Sequence, residues 1–554
     1  MSGLSHAVGP TEPPVPEGTI GEWLDRAAEL FGDREALVVP WQDVRWTWVE
    51  LRTRADSLAR GLAALGLTAG DRVGILAPNC AEWVLTQFAT ARLGLVLASI
   101  NPAYRTFELG HALRLSGVRA LVTATRFKTS DYVGMLGQLL PASGGEAPGP
   151  LFDPVLPDLR FVIEIGGATA GARIGFETLL DRGLPVVVPA LHADQAINIQ
   201  FTSGTTGAPK GATLSHRNLL HNATCAAAGM RLGPDDRLCI PVPLYHCFGM
   251  VLGVLVCLTS GAAMVFPGQA FDAGTVLRTV NDERCTALHG VPTMFLAILD
   301  HPDFQKADLS SLRTGMAAGA SCPPIMMKRM IDQMNLAEIT IGYGMTETSP
   351  LSTMTSSDAD METRTETVGT MLPHYEGRVI DEGGNLVPFG TAGQYCSRGP
   401  GVMLGYWNQP DATAVAVSDG WMHTGDLATM DEQGRVRIIG RVIDLIIRGG
   451  ENIYPAEVEA FLLRHRSIAD AAVFGLPDKL YGEMVCAWVR CREPVEPEAI
   501  IAWCKDRMAH HKIPAVVRVV ESFPMTVTGK IQKFVMRDIE LQDGALSGAT
   551  RRTD

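Results

Sequence analysis

What the 554 residues lack narrows the possibilities first. Net positive charge is missing. The formal charge is −13, which argues against nucleic acid or an anionic membrane surface as a partner, although a local basic pocket remains compatible with it. A long apolar run is missing as well. The most apolar window, residues 250–266, is short of a membrane span and is broken by Thr259, Ser260 and Gly261. The N-terminus up to Gly18 carries prolines but no apolar core, so it does not read as a secretory signal. Paired cysteines are missing too. Eleven are scattered from Cys80 to Cys504 without a Cys-x-x-Cys, which fits neither a disulfide framework nor a zinc site. His216 and His221, five apart, have the wrong offset for two ligands on one helix face and read as ordinary helix residues. No internal repeat is found. The expectation is a soluble protein of a reducing, cytoplasmic compartment, with no membrane span and no nucleic-acid partner.

What is present is material for a large core. Hydrophobic residues make up 46% and charged residues 19% of a chain too long for one core, so two or more domains are expected. Trp23, Ala27, Leu30 and Phe31 fall on one helical face, as do Leu51, Ala55, Leu58 and Leu62. Arg72–Leu76 and Arg119–Thr123 read as strands. This alternation predicts an α/β fold of layers around largely parallel sheets. Residues 141–157, rich in Pro and Gly, read as a long surface connection or insertion. A second, smaller unit is expected from Arg441. In it Pro455 suits the first turn of a helix carrying Val458, Phe461 and Leu462, and Ala471–Gly475 and Val485–Val489 read as strands. The expected division is 1–440, 441–543 and a disordered tail over 544–554.

The densest chemical signal is Thr202-Ser203-Gly204-Thr205-Thr206-Gly207-Ala208-Pro209-Lys210-Gly211, which follows an alternating run from Ala196 to Phe201. Glycines let the backbone turn its N–H groups onto oxygens, hydroxyls add donors, and Lys210 adds charge, which together suit a polyphosphate. The spacing is not that of a Walker loop, because Gly204 and Gly207 are three apart and Lys210 precedes Gly211. The segment instead resembles the phosphate loop of the adenylate-forming enzymes, a family of acyl-CoA synthetases, peptide-synthetase adenylation domains and luciferases.

Further segments resemble the same family in the required order, so the likeness covers most of the chain. It implies a large N-terminal domain of layered α/β subdomains and a small mobile α+β C-terminal domain. Gly319-Ala320-Ser321 is similar to the segment that lines adenine. In Gly342-Tyr343-Gly344-Met345-Thr346-Glu347-Thr348 the resemblance implies that Tyr343 covers adenine, Thr346 contacts the α-phosphate and Glu347 holds Mg²⁺. A single carboxylate suits Mg²⁺, which keeps most of its waters and takes phosphate oxygens. In Trp421-Met422-His423-Thr424-Gly425-Asp426-Leu427, Asp426 would accept from the ribose hydroxyls, with Arg441 supporting the same ribose. Pro524-Met525-Thr526-Val527-Thr528-Gly529-Lys530 is similar to the catalytic-lysine loop. There Lys530 would offset the repulsion between a carboxylate and the α-phosphate. Lys512 and Lys533 read as solvated lysines outside that motif.

Tyr245, His246, Met250, Val291, Gly344 and Met345 are the expected acyl-pocket residues, with His246 able to reorient between half-reactions. Acetate-specific relatives carry a bulky Trp where this chain has Gly344, so an acid larger than acetate is expected. The apolar lining suits a medium-chain fatty acid, while an aromatic or branched acid is nearly as well accommodated. Gly449-Gly450 marks the face expected to meet coenzyme A. Many relatives have Asp or Lys where the backbone rotates between half-reactions, and here that position is Ile443, which is expected to shift the balance between them.

The reaction so implied uses ATP, Mg²⁺ and coenzyme A to turn a small carboxylic acid into acyl-AMP and then into a thioester. Two other readings are an adenylating enzyme that loads a carrier protein and a nucleotide-binding protein without catalysis. The stretch Tyr245–Met250 lacks the Asp that pairs with an amino-acid amine, and Lys530, Glu347 and Asp426 are all present. No motif sets the oligomeric state, and a homodimer is carried as an open expectation.

Overall fold

The computed structural model describes residues 3–546 apart from 142–148, 168–171, 181–188, 203–208, 321, 449–450, 479, 506 and 526–530. The chain forms two compact units: one of Ala7–Gly377 with Ser397–Met422, the other of Met1–His6, Arg378–Cys396 and His423–Asp554. Residues 378–396 and 423–440 thus group with the C-terminal segment.

Two large sheets organise the first unit. In one, the strands Ile174–Gly175, Phe161–Ile165, Val118–Ala124, Arg72–Leu76, Val96–Ser99 and Ala196–Thr202 run parallel in that order. Lys210–Ser215 and Gly405–Tyr406 then add antiparallel. In the other, the parallel strands are Glu338–Gly344, Thr314–Ala318, Ala287–Gly290, Arg237–Cys239, Ala263–Val265 and Glu35–Val39. Antiparallel strands flank both of its edges. Central strands such as Val96–Ser99 and Thr314–Ala318 are buried at every position. They are covered on both faces and so need no polar alternation. This is the α/β layering that the alternation predicts.

Local chemistry sets several helix starts. Thr19 with Glu22 and Thr47 with Glu50 form capping boxes before the helices Ile20–Phe31 and Trp48–Ala64. The second helix buries Leu51, Ala55, Leu58 and Leu62 as expected. The first is rotated from its expected face. It buries Ile20, Leu24, Ala27 and Ala28, while Leu30 is 67% exposed. The apolar stripe there is wider than the contact it makes, and packing selects Leu24 over Leu30. Of the segment 141–157, Leu151 and Leu156 are buried in the core, so the part described is anchored, not a bare surface loop.

The apolar window 250–266 becomes a π-helical turn over Met250–Leu255, a helical turn over Val256–Ser260 and the strand Ala263–Val265. Among the described residues no helix is long and apolar enough to cross a membrane. All eleven cysteines are unpaired.

In the second unit the long antiparallel strands Ile468–Asp478 and Gly482–Cys491 separate two cores by their period of two. Ala471, Val473, Val485, Ala487 and Val489 pack with Val458 and Leu462 of the helix Pro455–Leu462, which has proline at its first turn. Ala472, Phe474, Cys486 and Trp488 pack with Met536 of the helix Lys533–Leu546. That helix continues past Asp543, where a disordered tail is expected to begin. Residues 547–554 lie outside the described part.

Candidate active site

Parallel sheets present ligands at the carboxyl ends of their strands, and the nucleotide-binding candidates of the first unit lie there. Gly290 pairs with Ala317, and Ala318 with Gly342, so the segments Val291, Gly319-Ala320 and Tyr343-Gly344 leave neighbouring strand ends. Gly319 has φ +86°, and a Cβ built on it would meet Val291 Cγ1 at 3.4 Å. The expected adenine lining and the expected acyl wall therefore lie side by side, with no room between them for more than a methyl group at Gly319. Ser321 lies outside the described residues.

The expected phosphate loop is bracketed by an antiparallel pair, with Thr202 opposite Lys210. A Walker loop leads from a strand into a helix, whereas here the chain returns as a second strand. Ser203, Gly204, Thr205, Thr206 and Gly207 lie outside the described residues. Lys210 is described, and its Nζ stands 5.0 Å from the centroid of the Tyr406 ring.

Glu347 sits on the short 3₁₀ turn Thr346–Thr348, directly after the strand Glu338–Gly344. It is 5% exposed, and its Oε1 accepts a hydrogen bond from Tyr406 Oη at 2.7 Å. Burial first, then the Glu347 charge, raises the Tyr406 pKa and keeps the phenol a donor. The Met403 N–H donates to the Glu347 carbonyl at 2.9 Å. Sequence reasoning missed Tyr406. Its Gly-Tyr setting carries no chemical signature, and only strand pairing brings it to Glu347.

The expected acyl segment lies beside this turn. Burial, followed by the Glu347 charge, pushes the Cys247 thiol well up, with Thr346 close enough to oppose the shift slightly. His246 Nδ1 accepts from the Phe248 N–H at 3.2 Å, which caps the turn Cys247–Gly249. Met250 is buried, and its sulfur accepts from Gln200 Nε2 at 3.4 Å. The Tyr245 hydroxyl is buried with no hydrogen-bond partner among the described residues. Burial and the neighbouring Tyr104 and Tyr132 raise its pKa. Met345 is half-buried and its N–H donates to Thr348 Oγ1 at 3.1 Å.

At Gly344 a second constraint acts besides any role in the acyl pocket. A Cβ built there would overlap the Pro350 carbonyl oxygen and stand 2.9 Å from Leu351 Cα. Close approach of the neighbouring strand therefore demands glycine at this position, whatever the size of the pocket.

In the second unit Asp426 and Arg441 are register partners in an antiparallel pair, and Arg441 Nε lies 3.3 Å from Asp426 Oδ1. The two expected ribose residues thus contact each other. Ile443 lies in the 3₁₀ turn Val442–Asp444 and is 62% exposed. Gly449, Gly450 and Lys530 lie outside the described residues. The strands beside the glycine pair match Arg448 with Glu451, and Met525 bridges Ile531 around the lysine segment. Lys512 and Lys533 are not solvated as expected. Lys512 pairs with Glu457, and Lys533 with Glu459, each at 2.6 Å.

Comparison with known proteins places this geometry in a lineage. Residues 24–407 match the model of the AMP-binding enzyme family, and residues 457–530 match that of the AMP-binding enzyme C-terminal domain. YngI of Bacillus subtilis (strain 168), which carries an acyl-CoA synthetase name, is 43% identical over 542 residues, covering 96% of this chain and 98% of its own. The human mitochondrial medium-chain acyl-CoA ligase is 41% identical over 558 residues, covering 97% of this chain and 90% of its own. Among solved structures, an anthranilate CoA ligase in complex with anthranoyl-AMP superposes with a TM-score of 0.85 at 26% identity, covering 96% of this chain and 99% of its own.

Proposed function

The chain belongs to the AMP-binding enzyme family, and on that footing we propose that it is an ATP-dependent acyl-CoA synthetase acting on medium-chain fatty acids. A carboxylate is a poor acyl donor because its leaving group would be oxide. Attack of a carboxylate oxygen on the α-phosphorus of ATP forms a P–O bond and breaks the bond to pyrophosphate, which gives acyl-AMP. The coenzyme A thiol then attacks the acyl carbonyl and AMP leaves. Such chemistry asks the protein mainly for positioning and for charge placed against phosphate.

The observation that carries this reading is the juxtaposition of Glu347, Tyr406 and Lys210 beside the strands that bracket the phosphate loop. The donor set fits Mg²⁺. Glu347 is one buried carboxylate, and among the described residues no group of three His, Cys, Asp or Glu could hold a metal by itself. Such a site suits an ion that arrives with phosphate oxygens and water as its other ligands. When bound, Mg²⁺ supplies neutralisation of phosphate charge.

Thr346 orients the α-phosphate, Lys210 steadies the outgoing pyrophosphate, and Asp426, aligned by Arg441, holds the ribose. Lys530 offsets the repulsion between the two reacting anions. The region 441–543 acts as the catalytic C-terminal domain, with Ile443 at its hinge and Gly449-Gly450 toward coenzyme A. The medium-chain preference is supported by the name of the human relative and by the apolar residues Met250, Val291 and Met345. An aryl or branched acid is the second reading, supported by the anthranilate ligase.

An acid panel followed for AMP and acyl-CoA tests this directly. Hexanoate and octanoate are expected to outcompete acetate and benzoate. Without coenzyme A, pyrophosphate exchange should persist in the native enzyme and fall roughly 100-fold or more in Lys530→Ala. Pyrophosphate exchange without any acyl-CoA product would point to a carrier-loading enzyme, and absence of both would remove the synthetase reading.

A further inference from the structure

We propose that Tyr406 is a positioning residue that makes metal binding at Glu347 depend on the phosphate-loop strand, its hydroxyl aiming the carboxylate and its ring seating Lys210. The inference rests on the reading of Glu347 as the Mg²⁺ ligand.

Tyr406 is held by backbone contacts on both sides. It pairs with Ala212 of the strand that leaves the phosphate loop, and its neighbour Trp407 donates its N–H to the Gly211 carbonyl at 2.7 Å. The Tyr406 N–H donates to Thr413 Oγ1 at 2.8 Å. On the same stretch, the Met403 N–H holds the Glu347 carbonyl at 2.9 Å, and the Leu404 N–H donates to the Thr213 carbonyl at 2.9 Å. Residues 403–407 therefore link the turn that bears Glu347 to the strand that bears Lys210.

The tyrosine then spends its two functional ends on different partners. Oη donates to Glu347 Oε1 at 2.7 Å, while the ring face receives the Lys210 ammonium at 5.0 Å. A carboxylate offers about four acceptor sites, so the phenol bond helps to set its direction and leaves sites for other partners. Removing the hydroxyl alone should loosen the carboxylate and leave the lysine platform in place.

The test uses the full chain and the non-cleavable analogue α,β-methylene-ATP, titrated calorimetrically with Mg²⁺ and again in EDTA. In the native protein, Mg²⁺ should tighten binding. In Tyr406→Phe that metal-dependent gain should shrink roughly tenfold, as expected for loss of a hydrogen bond to a charged group, with binding in EDTA unchanged. Tyr406→Leu should weaken binding in EDTA as well, because Lys210 loses its platform. A Phe variant that keeps the full Mg²⁺ gain overturns the proposal, as does one that weakens both conditions equally, which would mark a merely structural role. Glu347→Gln separates the two levels. If it too keeps the full gain, the metal-ligand reading fails and the coupling fails with it.

Discussion

His216, His221 and His289 are each fully buried, and loss of hydration lowers each pKa to about 4. Each works as a neutral ring. His216 Nδ1 accepts from the Ile20 N–H at 3.1 Å, and the Nε2 atoms of His221 and His289 lie 2.9 and 2.8 Å from the Pro373 and Leu252 carbonyls. Because the folded pKa is depressed, the unfolded chain binds more protons between pH 6.5 and 4. Stability from these rings is therefore complete above about pH 6.5 and is lost as pH falls toward 4, by about 1–3 kcal/mol per ring. Thermal melts at pH 7.5, 6 and 5 should show the midpoint falling, with a shallower fall in His289→Gln. An identical slope in that variant would count against the assignment. The reading of His216 and His221 as ordinary helix residues was available from their spacing. The burial that makes them acid-sensitive was not, since it comes from the segments around Ile20 and Pro373.

At the scale of elements, the strand ends decide what the site is made of. Gly342, Tyr343 and Gly344 close a strand whose neighbour, Leu351–Met354, runs back against it. Gly344 has no room for a methyl group beside Pro350 and Leu351. Gly344→Ala should therefore cost about 1–3 kcal/mol of stability, lowering the apparent melting midpoint. It should slow adenylation of short and long acids alike, because the displaced turn carries Thr346 and Glu347. A selective shift toward short acids with an unchanged midpoint would restore the view of this glycine as a pocket gate. Strands and helices were legible wherever local pattern was strong, as at Arg72–Leu76 and the Pro455 helix start. The face of the helix Ile20–Phe31 was not, because its apolar stripe extends over Leu30 and only packing chooses among those residues.

For the whole molecule, the two half-reactions must share one chain, and Ile443 is the residue proposed here to bear on their balance through its backbone freedom. It is β-branched, and its 62% exposure leaves room for a polar replacement at little packing cost. Ile443→Asp should change the ratio of adenylation to thioester formation severalfold, measured by pyrophosphate exchange and by acyl-CoA formation from preformed acyl-AMP. Equal effects on both rates would remove the hinge assignment.

The chain's chemistry is determined in the sequence itself. Motifs made of contiguous residues carry their own signature, so the likeness of the run Thr202–Lys210, the heptad around Glu347 and the lysine motif at Lys530 to those of the family can be read without a fold. Tertiary structure alone decides what faces those groups. Tyr406 reaches Glu347 across 59 positions, Arg441 meets Asp426 through strand register, and Lys512 and Lys533 are drawn off by carboxylates of a helix. Such partners carry no local signature, because a hydrogen bond or an ion pair depends on distance in space, and pairing of strands far apart in the chain sets that distance.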